Sequence, residues 1–148
     1  SMFLAELLSY ATRHEQANGA LYLFMQESIE WLDHAKGAIA NFHIVFMIQL
    51  SFHLGFMPNI ESGMSGDYFD LVDGCFAAHV PSHVHYLNKE DSMRLVSLFR
   101  LDYKTMHLYT MSRMERNRCV EVILEYYKLH LPGFPEMKSF AVLQELFA

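Results

Sequence analysis

The chain is poor in cysteine, with only Cys75 and Cys119 among its 148 residues. Two cysteines are too few for the disulfide scaffold of a small secreted domain, so we expect a protein of the cytoplasm. The sequence also lacks the nucleophile-elbow, P-loop and HExxH patterns that mark common catalytic sites. These absences favour a protein without enzymatic activity and give no reason to expect a cofactor.

Formal charge is missing from one long stretch, residues 37–60, which is therefore a candidate membrane span. About 20 apolar residues are enough to cross a bilayer. This stretch, however, contains Asn41, His43, Gln49 and His53, and each of these is costly in lipid unless it is paired. We therefore expect a buried central helix over residues 38–54 and no contact with a membrane.

Positive charge is scarce over most of the chain. Residues 1–99 have 4 Lys and Arg against 11 Asp and Glu, whereas residues 100–128 have 6 against 4. A chain with a net charge of −6 is a poor sequence-independent binder of nucleic acid, because phosphate contacts need a dense positive field. The basic segment, residues 100–128, could bind an acidic peptide or make a limited DNA contact. Alternatively, its charges pair with one another on a solvated helix face.

Apolar residues at helical spacing predict a mainly α fold, a multi-helix bundle-like domain formed by residues 1–148. Ser112 and Glu115 form a capping box, which predicts the start of a long helix that ends before Pro132. Asn88 precedes another helix, with acidic residues in its first turn. The predicted helices are residues 2–15, 19–36 after a cap at Asn18, 38–54, 89–99, 103–109, 113–130 and 140–147 after a cap at Ser139.

One β-hairpin is predicted between the central helix and the next one. The central helix stops at Gly55 and Pro58, and the pair Asp73-Gly74 then joins two short apolar segments within residues 68–77. Residues 78–87 are predicted to be irregular. A lone hairpin is not stable by itself, so we expect this insertion, residues 60–87, to pack on the helices through Tyr68, Leu71 and Phe76.

The insertion contains a candidate metal site made of Cys75, His79, His83 and His85. Four ligands of these types suit tetrahedral zinc. Structural zinc sites, however, usually have two closely spaced ligand pairs, whereas here one cysteine stands apart from three histidines. We therefore expect no structural zinc; a small metal-dependent hydrolase built on these histidines is an alternative.

The order of these features resembles a known family. A helix ends in Leu54-Gly55-Phe56 followed by Pro58, and a small insertion comes next. A later helix opens at residues 112–118 and closes at 127–135, and Met137-Lys138-Ser139 precedes the last helix. This order is similar to that of the C-terminal helical domain of the bacterial DNA-repair protein RecO, over residues 3–147.

The resemblance implies a non-enzymatic recombination mediator of the bacterial nucleoid. Such proteins help to load the recombinase on single-stranded DNA coated by its binding protein, and they anneal complementary strands. Family members begin with an OB-fold domain that contacts single-stranded DNA and is absent from these 148 residues, so the resemblance also implies a fragment. In many members the insertion is a four-cysteine zinc knuckle. Here that position is degenerate, because all but one of the cysteines are missing.

Two partners are implied by the resemblance: RecR and the acidic C-terminal tail of the single-stranded-DNA-binding protein. Cations beside an apolar groove suit a tail that ends in Phe, and Phe56 and Phe134 lie beside prolines in turns that we expect to be exposed. A stand-alone helical adaptor or regulatory domain, without a nucleic-acid role, is the alternative. The candidate partner-binding residues are Arg113, Arg116, Arg118, Lys128 and Lys138.

Overall fold

The uncharged stretch forms the central helix of the fold, α3 (Phe42–Leu54). The computed structural model describes residues 2–11, 19–37, 39–61 and 68–134. Eight of the thirteen residues in α3 are buried, so its side chains form much of the main core. The helix ends at Gly55, which has a φ of +89° and forms the left-handed cap that the sequence predicts. None of the described helices is long and apolar enough to cross a membrane.

Five helices and three short strands make up the described chain, and the mainly α fold class is confirmed. Asn88 caps its helix by accepting a 2.8 Å hydrogen bond from the backbone N–H of Asp91, and the Ser112–Glu115 capping box is formed. The predicted cap at Asn18 and the predicted helix over residues 140–147 lie outside the described residues. The remaining elements are α1 (Met2–Ala11), α2 (Gly19–His34), β1 (Tyr68–Asp70), β2 (Cys75–Ala77), β3 (Tyr86–Leu87), α4 (Lys89–Phe99), a 3-10 turn (Met106–Leu108) and α5 (Arg113–His130).

The central helix starts later than predicted, at Phe42 and not at residue 38. Ile39 belongs to a turn, in which its carbonyl accepts a 3.0 Å hydrogen bond from the backbone N–H of Phe42. The buried Asn41 explains this turn. Its side-chain amide donates to the carbonyls of Met106 and Tyr109, both at 2.8 Å, and thereby ties the start of α3 to the 3-10 turn.

The insertion contains a three-stranded antiparallel sheet with the strand order β2-β1-β3. The prediction that residues 78–87 are irregular is therefore wrong at Tyr86 and Leu87, since Phe69 of β1 pairs with Leu87 of β3. A two-residue strand is too short to show the alternating pattern by which strands are recognised. The predicted turn is present, with Gly74 at a φ of +70°.

The sheet packs against α4 and α5 through a second, smaller core. Phe69, Leu71 and Leu87 of the insertion contact Leu95 of α4 together with Val122 and Tyr126 of α5. Of the residues predicted to anchor the insertion, Leu71 is buried, whereas Tyr68 and Phe76 are half-buried. The described part of the insertion is therefore packed on the helices, and it covers one side of α4 and α5.

Candidate partner-binding groove between α4 and α5

The helices α4 and α5 form a shallow groove with charged edges and an apolar floor. Two arginines line it, one from each helix, and a third charged residue, Asp91, lies beside them. Beneath them lie the buried side chains of the floor. The α4–α5 groove is defined by Asp91, Arg94, Leu95, Leu98, Arg118, Cys119 and Val122.

The arginines differ in how far they reach into solvent. The Arg94 side chain is 18% exposed and the Arg118 side chain 46%. Burial raises the pKa of Cys119 to about 11, so the thiol is neutral and belongs to the apolar floor. The two guanidinium groups can bind carboxylates. The groove leaves only about 10 Å³ of open space between them and the floor, so an apolar side chain of a ligand would lie across the groove and not within it.

The predicted binding residues do not form one patch. Arg118 lies in the α4–α5 groove. Arg116 is half-buried and only two positions away, so it projects from α5 about 200° around the helix axis from Arg118. Arg113 and Lys128 are exposed, and Lys138 lies outside the described residues.

Arg94, the more buried of the two groove arginines, was missed among the predicted binding residues. In the sequence it lies three and four positions after Asp91 and Glu90, which is the spacing of charges that pair within one helix. Its shortest ion pair is with Glu115 of α5, at 2.9 Å between Nη2 and Oε2. That contact spans 21 positions and depends on how α4 and α5 pack, so the local pattern gave no signal for it.

Two of the four candidate metal ligands, His83 and His85, contact carboxylates of the chain. His83 Nε2 lies 3.0 Å from a carboxylate oxygen of Asp70, and its Nδ1 accepts a hydrogen bond from the backbone N–H of His85. His85 Nδ1 lies 2.8 Å from Glu125 Oε1. Cys75 is half-buried in β2, and His79 is exposed. Within the described residues, no group of three or more His, Cys, Asp or Glu side chains is placed to hold a metal ion.

Asp70 serves the turn of the insertion. Its Oδ1 accepts hydrogen bonds from the backbone N–H groups of Val72 and Asp73, at 2.9 and 3.1 Å. Burial opposes ionisation, but these bonds and the contact with His83 hold the pKa of Asp70 below its usual value. This carboxylate therefore holds the β1–β2 turn and fixes the tautomer of His83, whose Nε2 must carry the hydrogen because Nδ1 is an acceptor.

One cavity lies between the two cores, beneath the insertion. Its volume is about 20 Å³, and most of its lining is apolar. A space of this size holds about one water molecule, so it is too small for a ligand. Phe134 belongs to the main core: it is buried, with its ring centroid 5.5 Å from that of Tyr127. The expectation that Phe134 is exposed is therefore wrong, and Phe56 is half-buried.

The chain is a mainly helical domain with a small β insertion, and a groove with charged edges lies between α4 and α5. Residues 1–139 match the family described as "Recombination protein O C terminal", and the chain belongs to this family. The resemblance seen in the sequence is thereby confirmed.

Several relatives are named "DNA repair protein RecO". Those of Phocaeicola vulgatus and Bacteroides fragilis are each 47% identical over 148 residues, which are 100% and 99% of this chain. The protein of Porphyromonas gingivalis is 34% identical over 149 aligned positions, 99% of this chain. The chain spans 61% of the length of each of these three relatives. No solved structure matches it significantly.

Proposed function

We propose that the chain is the helical C-terminal part of a non-enzymatic recombination mediator in bacterial DNA repair. The membership in the recombination protein O family and the names of the relatives support this role and favour it over a stand-alone adaptor. The whole protein helps to load the recombinase on coated single-stranded DNA, anneals strands, pairs with RecR and acts in the cytoplasm at the nucleoid. An OB-fold at its N-terminus supplies most of the DNA contact.

The part that this chain plays is to bind the acidic C-terminal tail of the single-stranded-DNA-binding protein in the α4–α5 groove. One observation supports this: Arg94 and Arg118 lie above a floor of buried apolar side chains. A tail that ends in Asp-Asp-hydrophobe-Pro-Phe has the matching chemistry. Its carboxylates pair with the two guanidinium groups, and its terminal ring covers the floor.

A charge reversal on α5 tests the proposal. Arg118→Glu removes one charge-assisted contact and adds a repulsion, so a fluorescent peptide ending in Asp-Asp-Leu-Pro-Phe should bind about tenfold more weakly. Deleting the terminal Phe should weaken binding at least as much, because the ring supplies the apolar burial. Added salt should weaken binding in part.

Lys128→Glu is the matched control, because it makes the same charge change at an exposed position of the same helix, ten residues away. It should leave the affinity nearly unchanged. Reversing the charge of Arg116 in a separate variant tests whether the other side of α5 contributes to the affinity. An Arg118→Glu variant that is folded by circular dichroism and binds the peptide like the unchanged chain would refute the groove as the binding site.

A further inference from the structure

Both arginines of the α4–α5 groove are already paired with carboxylates of this chain. The contacts form a continuous row of alternating charge across the two helices. Arg94 of α4 pairs with Glu115 of α5 at 2.9 Å, and Arg118 of α5 pairs with Asp91 of α4 at 3.2 Å. The row runs Glu115–Arg94–Asp91–Arg118–Glu121, with N···O distances of 2.9, 3.6, 3.2 and 3.9 Å.

The carboxylate of Glu115 is fixed in its place by the capping box. Its Oε1 accepts a 3.0 Å hydrogen bond from the backbone N–H of Ser112, while its Oε2 faces Arg94. The same backbone hydrogen bond keeps the pKa of Glu115 below its usual value. Glu115 therefore remains ionised near neutral pH, and its hydrogen bond to Ser112 holds the carboxylate beside Arg94.

Asp91 is held in a similar way at the start of α4. Its backbone N–H donates to the Asn88 cap, and its side chain lies in the first turn, where the helix dipole favours a negative charge. The side chain is only 17% exposed and contacts both arginines, at 3.6 Å for Arg94 and 3.2 Å for Arg118. An incoming carboxylate therefore meets two fixed negative charges.

Resting on the function proposed above, we infer that Glu115 and Asp91 are built-in competitors for the groove arginines and set which acidic tails can bind. A tail with one acidic side chain exchanges one ion pair for another and gains little, because the displaced carboxylate stays nearby and repels it. A tail with two neighbouring acidic side chains makes both exchanges while the freedom of one tail is lost only once, so its second ion pair adds to the affinity, and the burial of its terminal ring adds to the gain. The groove therefore selects doubly acidic tails with an apolar end.

The decisive variant is Glu115→Gln, which removes the charge and preserves the capping box, since Gln serves in that motif as well as Glu. The affinity for the peptide ending in Asp-Asp-Leu-Pro-Phe should rise about two- to fivefold. The fold increase in affinity should be larger for the peptide ending in Asn-Asp-Leu-Pro-Phe. The ratio of the affinities for the two peptides should therefore decrease. Asp91→Asn should act in the same direction.

Glu30→Gln is the matched control, because it makes the same change in net charge on the exposed face of α2. It should leave both affinities unchanged. The inference is wrong if Glu115→Gln binds both peptides like the unchanged chain, or if Glu30→Gln tightens binding as much. In either case the proposed function still stands, provided that Arg118→Glu weakens binding. Absence of binding by both the unchanged chain and Glu115→Gln would instead overturn the proposed function and this inference with it.

Discussion

Single buried polar groups join the helices of the main core. The Tyr127 ring is fully buried, and its hydroxyl donates a 2.7 Å hydrogen bond to the carbonyl of Met47 in α3. Burial raises the pKa of Tyr127 well above its usual value, so the phenol remains a donor at any physiological pH. His43 of α3 is half-buried and joins the helices by a ring contact: its ring lies against that of Phe3 of α1, with 5.7 Å between centroids.

The titration of His43 makes the stability of the fold depend on pH. Burial lowers the pKa of His43 from 6.5 to about 4. Between these values the unfolded chain binds a proton that the folded chain does not, so stability falls as the pH drops from 6.5 to 4. The loss from this group should approach about 3 kcal/mol. Urea unfolding of the unchanged chain and of His43→Gln at pH 7.5 and pH 4.5 measures it.

The variant should show a smaller loss of stability between these two pH values than the unchanged chain. His107→Gln provides the control, because His107 is exposed on the 3-10 turn and its replacement should leave the difference as it is. Equal losses in His43→Gln and the unchanged chain would show that His43 does not cause the acid sensitivity.

At the scale of the elements, Ser92 connects α4 to the insertion. The side chain is buried, accepts a 3.0 Å hydrogen bond from the backbone N–H of Phe69 in β1, and donates to the carbonyl of Leu87 in β3 at 3.2 Å. One hydroxyl therefore binds two strands that are not neighbours in the sequence. The insertion is held on the helices by hydrogen bonds of this kind as well as by its apolar side chains.

Ser92→Ala should destabilise the fold because it leaves the buried N–H of Phe69 without its acceptor. The expected cost is about 1–3 kcal/mol in the free energy of unfolding. Ser97→Ala is the comparison on the same helix: its hydroxyl donates to the carbonyl of Met93 within α4, so the change should stay within about 0.5 kcal/mol. Urea denaturation followed by circular dichroism gives both values, and equal costs would contradict the role assigned to Ser92.

The sequence predicts best those elements whose ends are encoded locally. Asn88, Ser112 and Gly55 supply their caps from their own side chains or backbone, and the starts of α4 and α5 and the end of α3 were predicted correctly. The start of α3 was predicted incorrectly. It depends on the hydrogen bonds that the Asn41 side chain donates to two carbonyls 65 and 68 positions away. β3 exists only through its pairing with β1.

The same distinction applies to the candidate groove. Arg118 was included among the candidates because positive charge is concentrated in its segment of the sequence. Arg94 was not, since its partner Glu115 comes close only when α4 packs on α5. The apolar floor is likewise formed by two helices, and neither one shows a groove by itself. Sites made by packing are therefore less predictable than helix ends.

At the scale of the whole molecule, negative charge dominates, with a net charge of −6. The positive charges of the basic segment are partly used internally, since Arg118 pairs with Asp91 and Glu121. Little of the positive field is left for phosphate groups. This balance argues against sequence-independent binding of DNA by this chain.

The isolated chain should therefore bind single-stranded DNA weakly. We expect a dissociation constant above about 10⁻⁵ M at physiological salt, in the range of weak non-specific binding. The dissociation constant is measured by the fluorescence anisotropy of a labelled oligothymidine. The titration is done at about 50 mM and about 200 mM salt, a range over which counterion release is resolved. Tight binding that falls steeply between these two salt concentrations would show that this domain itself is a DNA-binding element.

The fluorescence of Trp31 reports on the packing of the main core. Trp31 is the single tryptophan of the chain, and its ring is stacked beside those of Phe42 and Tyr103, with centroid distances of 5.7 and 5.1 Å. Two helices and a loop meet at this stack: α2, α3 and the loop before the 3-10 turn. Emission excited selectively from the indole therefore follows the packing of α2 on the core without an attached dye. Because Trp31 does not line the α4–α5 groove, this signal can be read separately from binding there.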